Sequence, residues 1–145
     1  MPYKTLSLTA ALVACLSLTA CSAPQAPLEP VDPQPASPLT YENPAYHKVT
    51  PQVAKQMMDQ GVVVIDVRSP EEYQAGHIKG AVNVPLDTLK EGTILQAQPD
   101  VTKPILVHCR SGVRAEQASQ ILVKSGYQQV YNMYGTLQWP YGFVK

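Results

Sequence analysis

Residues 105–119 read ILVHCRSGVRAEQAS. The segment opens as an apolar run, Ile105 to His108, of the kind found in strands covered on both faces. From Gly112 the apolar spacing changes: Ala118, Ile121 and Leu122 fall on one face of a helix that runs to Lys124 and stops before Gly126. Cys109 therefore stands where a strand ends and a helix begins, with Arg110 and Arg114 close by.

The same alternation extends to either side. His47-Lys48-Val49 reads as a short strand, and Thr50-Pro51 supplies a cap and a first-turn proline for the helix PQVAKQMMDQ, which stops at Gly61. Val62 to Val67 is a second covered strand. Ser69-Pro70-Glu71-Glu72 repeats the cap-and-proline signal and puts acids in the first turn, predicting a short helix to about Ala75. Ala81 to Val84 is a predicted strand, Leu86 to Leu95 a helical or irregular segment, and Val130 to Met133 the last strand before a turn near Trp139. Strands alternating with helices predict an α/β fold with a parallel sheet and a functional site at the carboxyl ends of its strands. Cys109 occupies such an end.

Eleven Lys and Arg balance eleven Asp and Glu over 145 residues, so no broad field of one sign marks nucleic acid as a partner. Any anion binding has to be local. The three histidines and three cysteines show no metal-ligand spacing, and no metal or cofactor is expected.

Residues 1–20, MPYKTLSLTAALVACLSLTA, carry an early lysine and then an uncharged stretch rich in small residues, too short for a good spanning helix. They read as a secretory signal peptide. Its end, Leu18-Thr19-Ala20-Cys21, resembles the lipobox of bacterial lipoproteins, in which cleavage precedes a cysteine that then carries lipid. That resemblance makes Cys21 a membrane anchor, durable because several acyl chains each add about 0.8 kcal/mol per buried methylene. Ser22 after it resembles the pattern retained at an outer membrane, with the domain facing the periplasm or the cell exterior. Residues 21–45 hold seven of the fourteen prolines and no glycine, the composition of an extended tether. The folded domain is then expected over residues 46–145, with Cys109 as its one thiol.

A cysteine just before a helix lies near the positive end of the helix dipole and several unpaired amides, a place that favours negative charge on sulfur. If residues 109–114 curl into a cradle, the amides of residues 110–114 can point at one atom attached to that sulfur. Gly112 permits the backbone angles such a nest requires, and Ser111 adds a hydroxyl.

Three segments resemble the rhodanese family of sulfurtransferases. They are Val64-Ile65-Asp66-Val67-Arg68 followed by Pro70-Glu71-Glu72-Tyr73, Gly76-His77-Ile78-Lys79-Gly80-Ala81-Val82-Asn83-Val84-Pro85, and His108-Cys109-Arg110-Ser111-Gly112-Val113-Arg114-Ala115. The resemblance implies a three-layer sandwich with a central, mainly parallel five-stranded sheet flanked by helices. It also implies that Cys109 takes a sulfane sulfur from thiosulfate or a persulfide donor, holds it as a persulfide and passes it to a thiol or cyanide. Arg110, Ser111, Gly112, Val113 and Arg114 would line the substrate, with Arg114 the first choice to clamp the donor's sulfonate and Arg110 the second. Asp66 and Arg68, at a buried strand end, are expected to brace the loop rather than react, and His77 to be structural. His108 points to the face opposite Cys109 and is poorly placed as its base.

Cysteine phosphatases that share this fold resemble His-Cys followed by five residues and an arginine, whereas four residues separate Cys109 from Arg114. The shorter loop suits a sulfur atom better than a phosphate. Trp139, Tyr141 and Phe143 read as core, and Tyr134-Gly135 stands where many rhodaneses carry paired glycines. A non-turnover sulfur carrier, or a module that docks an envelope protein, would present the same loop.

Overall fold

The computed structural model describes residues 41–145. The signal peptide, Cys21 and most of the proline-rich tether lie outside the described residues.

Five strands form one sheet: β1 (Tyr46–Lys48), β2 (Val63–Asp66), β3 (Ala81–Asn83), β4 (Ile105–Cys109) and β5 (Val130–Gly135). Their spatial order is β1-β5-β4-β2-β3, and every pairing is parallel. Helices α1 (Pro51–Asp59), α2 (Pro70–Ala75) and α3 (Val113–Lys124) cover the two faces. The expected three-layer α/β sandwich with a five-stranded sheet is what the chain forms.

Local signals account for the helix starts. The Thr50 side chain accepts from the Val53 amide, and Pro51 opens α1. Ser69 and Glu72 cap α2 reciprocally, Ser69 Oγ accepting from the Glu72 amide at 3.3 Å and a Glu72 carboxylate oxygen from the Ser69 amide at 3.2 Å.

Alternation along the strands divides the core in two. On one face Ile65, Val67, Ile105, Val107 and Cys109 pack with Ala115, Ala118 and Leu122 of α3. On the other, Val64, Leu106 and Met133 meet Ala54 of α1, Ile78 and Trp139. All five residues of β4 are buried, as its central place requires.

The segment expected to be helical or irregular, Leu86 to Leu95, resolves into one 3₁₀ turn at Leu86–Thr88 followed by turns. A distant side chain fixes it: the Tyr127 hydroxyl accepts from the Leu95 amide at 2.8 Å and donates to the Gln98 carbonyl at 2.7 Å. Leu89 and Leu95 are thereby held as buried plugs beneath α3. At the amino end, the Tyr41 amide donates to Glu116 at 3.1 Å and its ring lies 5.3 Å from that of Tyr46, so this residue lies against the domain.

The sheet order places the site. From the centre, β2 continues outward to β3 while β4 continues the other way to β5, with α2 and α3 leaving on opposite faces. A crevice at the carboxyl ends of β2 and β4 follows from that reversal.

Candidate functional site

Cys109 is the last residue of β4, and its side chain is 1% exposed. Arg110 and Ser111 follow, both exposed, and buried Gly112 then caps α3 with φ +105°. The Gly112 amide donates to Cys109 Sγ at 3.0 Å. Having no side chain, Gly112 leaves the first-turn amides of α3 without a side-chain cap, next to the sulfur. A Cβ at Gly112 would also stand 3.1 Å from Tyr134 Cα, so space as well as φ requires glycine.

The loop rests on β5. Asn132, 1% exposed, donates through Nδ2 to the Tyr46 hydroxyl at 3.0 Å and to the Gly112 carbonyl at 3.3 Å, and its Oδ1 accepts from the Tyr134 amide at 2.8 Å. Past a shift in register, Cys109 pairs with Gly135. The Thr136 and Leu137 amides then donate to the carbonyls of Cys109 and Arg110, each at 3.0 Å. A side chain on Gly135 would overlap both carbonyl oxygens. The pair Tyr134-Gly135 thus meets two demands: Gly135 supplies the close approach, and Tyr134 takes φ +66°, a left-handed conformation unusual for an aromatic residue.

Arg114 does not stand free. Its two terminal nitrogens fork onto Glu72 of α2 at 2.7 and 2.9 Å. The pair holds the Glu72 carboxyl down to about 2, chiefly through the hydrogen bonds from Arg114. Arg114 is raised in turn, first by Glu72 and also by the Cys109 sulfur it faces. Arg114, expected to clamp the donor ahead of Arg110, thus faces the sulfur with a carboxylate already at its terminal nitrogens. Among the described residues the Arg110 guanidinium makes no ion pair.

Asp66 and Arg68 lie across the sheet from Cys109. Arg68 forks onto Asp66, with Nη2 to Oδ2 at 2.6 Å and Nε to Oδ1 at 3.0 Å, and also donates to the Gly76 carbonyl at 2.9 Å. His108 links them to the loop: its Nδ1 lies 3.1 Å from the Cys109 carbonyl and its Nε2 stands 3.5 Å from Asp66, while the Val67 amide donates to the His108 carbonyl at 3.0 Å. That Nε2 is buried and makes no hydrogen bond. Burial pushes His108 below the usual histidine range. His77 stacks on Tyr73 with ring centroids 3.8 Å apart.

A cavity of about 290 Å³ is lined by Arg68, Glu72, Ala75, Gly76, Thr136 and Phe143; two of these touch the loop segment, Glu72 through Arg114 and Thr136 through the Cys109 carbonyl. Trp139 is core, as expected, but Tyr141 and Phe143 are about half exposed, and Phe143 serves as cavity wall. Sequence reasoning missed Glu72 as a site residue because its acid was already explained by the cap. It also missed Asn132, for which no sequence signal existed.

A family model described as a rhodanese-like domain matches residues 50–139. The chain belongs to the rhodanese-like family. This rhodanese-like chain is 45% identical over 71 residues to thiosulfate sulfurtransferase PspE of Escherichia coli (strain K12), covering 49% of the chain and 67% of that protein. It is 33% identical over 87 residues to tRNA uridine(34) hydroxylase of Yersinia pestis, covering 58% of the chain but only 24% of the hydroxylase. Among solved structures, a rhodanese from E. coli determined with anions superposes with a TM-score of 0.52 at 41% identity, covering 57% of the chain and 96% of that one. A rhodanese-related protein from Thermoplasma volcanium gives 0.58 at 26%, covering 68% and 98%.

Proposed function

We propose that the protein is a sulfurtransferase in which Cys109 carries sulfane sulfur as a persulfide. The observation that carries this reading is the Gly112 amide aimed at Cys109 Sγ at 3.0 Å, at the head of α3. The likeness to PspE, a thiosulfate sulfurtransferase, and to a rhodanese from E. coli supports the activity.

The chemistry balances without a cofactor. Cys109 as thiolate attacks the outer sulfur of thiosulfate, forming the Sγ–S bond while the donor's S–S bond breaks and sulfite leaves with the electron pair. The loop amides stabilise charge on the bound sulfur, and a guanidinium, Arg114 before Arg110, holds the departing sulfonate. A thiophile such as cyanide or a thiolate then attacks the outer sulfur, and the Sγ–S electron pair returns to Cys109. Asp66 and Arg68 brace β2 and, through His108, the end of β4.

The full chain is incubated with thiosulfate, its mass measured, and cyanide added while thiocyanate is assayed beside Cys109→Ser. The expected result is one added sulfur on the wild type, removed with turnover by cyanide and absent in the variant. Uptake of one sulfur without turnover favours a carrier instead, and no uptake from thiosulfate, persulfide or mercaptopyruvate overturns the reading.

The domain's place belongs to the same proposal: residues 1–20 as a signal peptide, lipidated Cys21 with a tether to residue 45, and residues 46–145 as a domain facing the periplasm or the cell exterior. Cys21→Ala is expected to move the protein from the membrane fraction to the soluble one; unchanged fractionation would sink the anchor. A membrane tether would keep the domain near an envelope protein that supplies or receives its sulfur.

A further inference from the structure

We infer that His108 is a positioning residue for the loop: its Nδ1–H holds the Cys109 carbonyl on the β5 side and so turns the Arg110 amide toward the crevice, and the Asp66–Arg68 pair enforces that tautomer. The inference rests on the sulfurtransferase reading and adds a residue to its machinery that acts through a peptide bond and never touches the sulfur.

The sheet ladder does not hold this peptide by itself. β4 and β5 leave register between Val107 and Cys109. Past that point the Cys109 carbonyl is met by the Thr136 amide at 3.0 Å and by His108 Nδ1 at 3.1 Å. A carbonyl oxygen accepts and cannot donate, so the contact with His108 is a hydrogen bond when Nδ1 carries the ring proton. Two donors, a side chain of β4 and an amide just after β5, then fix the plane of the Cys109–Arg110 peptide. Across a planar trans peptide the N–H lies opposite the C=O. The Arg110 amide is therefore turned away from β5 toward the β2 side, where the crevice opens. Among the described residues it has no acceptor, which leaves it for a substrate atom.

The tautomer is set from the other side of the ring. His108 is fully buried, and burial pushes it below the usual histidine range, so near neutral pH one proton serves two nitrogens. Nε2 stands 3.5 Å from Asp66 Oδ2 and makes no hydrogen bond. The Asp66 oxygens are already taken: Oδ1 accepts from the Arg68 amide and from Arg68 Nε, each at 3.0 Å, and Oδ2 from Arg68 Nη2 at 2.6 Å. With the carboxylate drawn onto Arg68, the ring proton gains a full partner at Nδ1 alone. Asp66 and Arg68 thus reach the loop by leaving Nε2 bare.

Isotopic nitrogen labelling of histidine in the full chain reads the tautomer by NMR without any substitution. The ring whose N–H is shielded from exchange with water is His108, and near neutral pH it is expected to show a protonated Nδ1 and a bare Nε2. A proton on Nε2 instead overturns the inference, whether or not any variant folds.

Two variants then separate the nitrogens. An asparagine amide reaches the place of Nδ1 and a glutamine amide that of Nε2, so His108→Asn keeps a donor for the Cys109 carbonyl and His108→Gln lacks it. Removing an aimed donor outright costs on the order of a hundredfold. With Thr136 still on the carbonyl, His108→Gln is expected to lower kcat/KM for thiosulfate by about tenfold or more, and His108→Asn by less than about threefold. Melting temperatures are measured beside the rates, since each variant buries an amide. Equal losses in the two, or losses that follow melting temperature alone, reduce His108 to core packing and overturn the inference. Should the wild type take sulfur from no donor, the sulfurtransferase reading fails by itself, and the Arg110 amide signal decides the role of His108. That signal is expected to shift with added inorganic sulfate in the wild type and in His108→Asn but not in His108→Gln. A signal that ignores sulfate, or follows it alike in all three proteins, contradicts the aim assigned to this peptide.

Discussion

Replacing Gly135 by alanine tests the geometry that holds the loop. Gly135 is not in a left-handed conformation, so its requirement is space: an added Cβ overlaps the carbonyl oxygens of Cys109 and Arg110. Both partners are backbone, so no side chain can swing aside, and β5 has to move from the loop by roughly 1 Å. That gap is spanned by the bonds from the Thr136 and Leu137 amides to those carbonyls. Losing them costs about 2 kcal/mol together at ~1 each. Overpacking adds about 1–3 kcal/mol, and the lower chain entropy of unfolded alanine returns ~0.4–1. The net is roughly 2–4 kcal/mol, or a fall in melting temperature of about 10 °C or more for a domain of some hundred residues. Displacement of Cys109 by a comparable distance is expected to lower kcat/KM about a hundredfold. Gly76→Ala is the control, since a Cβ there meets Phe143 Cβ at an ordinary 3.7 Å, and it is expected to shift stability by less than about 0.5 kcal/mol. Calorimetry and thiocyanate assays on both variants decide the matter. A Gly135→Ala protein that melts within about 2 °C of wild type and turns over normally would refute the close approach and the rigidity argued from it.

Asn132→Ala strips partners from the Tyr46 hydroxyl, the Gly112 carbonyl and the Tyr134 amide at a position 1% exposed. Urea denaturation is expected to show a loss of about 2–3 kcal/mol with an unchanged slope, and an unchanged midpoint would remove Asn132 from the loop's support. His108 supplies a pH prediction whose sign follows from its lowered value: the unfolded chain takes up a proton near pH 6.5 that the folded chain resists. Stability from this group is complete above that value and declines as pH falls below it. His108→Gln is expected to flatten the dependence of unfolding free energy between about pH 6.5 and 5, and an equally steep slope in the variant would contradict the burial argument.

The parts of this fold that could be read from sequence are those that neighbouring residues decide. Thr50-Pro51 and Ser69-Pro70 start their helices through bonds to residues three positions away, and the structure keeps both. Cys109 at a strand end was legible because the change from strand to helix spacing is itself local. What stayed hidden depends on pairs far apart in the chain: Tyr127 shaping residues 95–98, and Asn132 reaching back to Tyr46 and Gly112.

Arg114 carries the lesson furthest, because its place near Cys109 is local in the chain and its partner is not. A guanidinium beside a nucleophilic loop suggests a clamp for an anion, and motif logic places the charge without asking what balances it. Glu72 lies 42 residues away on another helix, and its local role in the cap concealed a second role across the crevice. The capping hydrogen bonds fix the Glu72 backbone and side chain in the orientation that meets Arg114, so one residue closes the start of α2 and ties it to the start of α3. Two helices on opposite faces of the sheet are thereby joined over the carboxyl ends of β2 and β4. Because the tie is bidentate, loss of either partner frees the start of α2 and the start of α3 together, and the loop between β4 and α3 loses its link across the crevice.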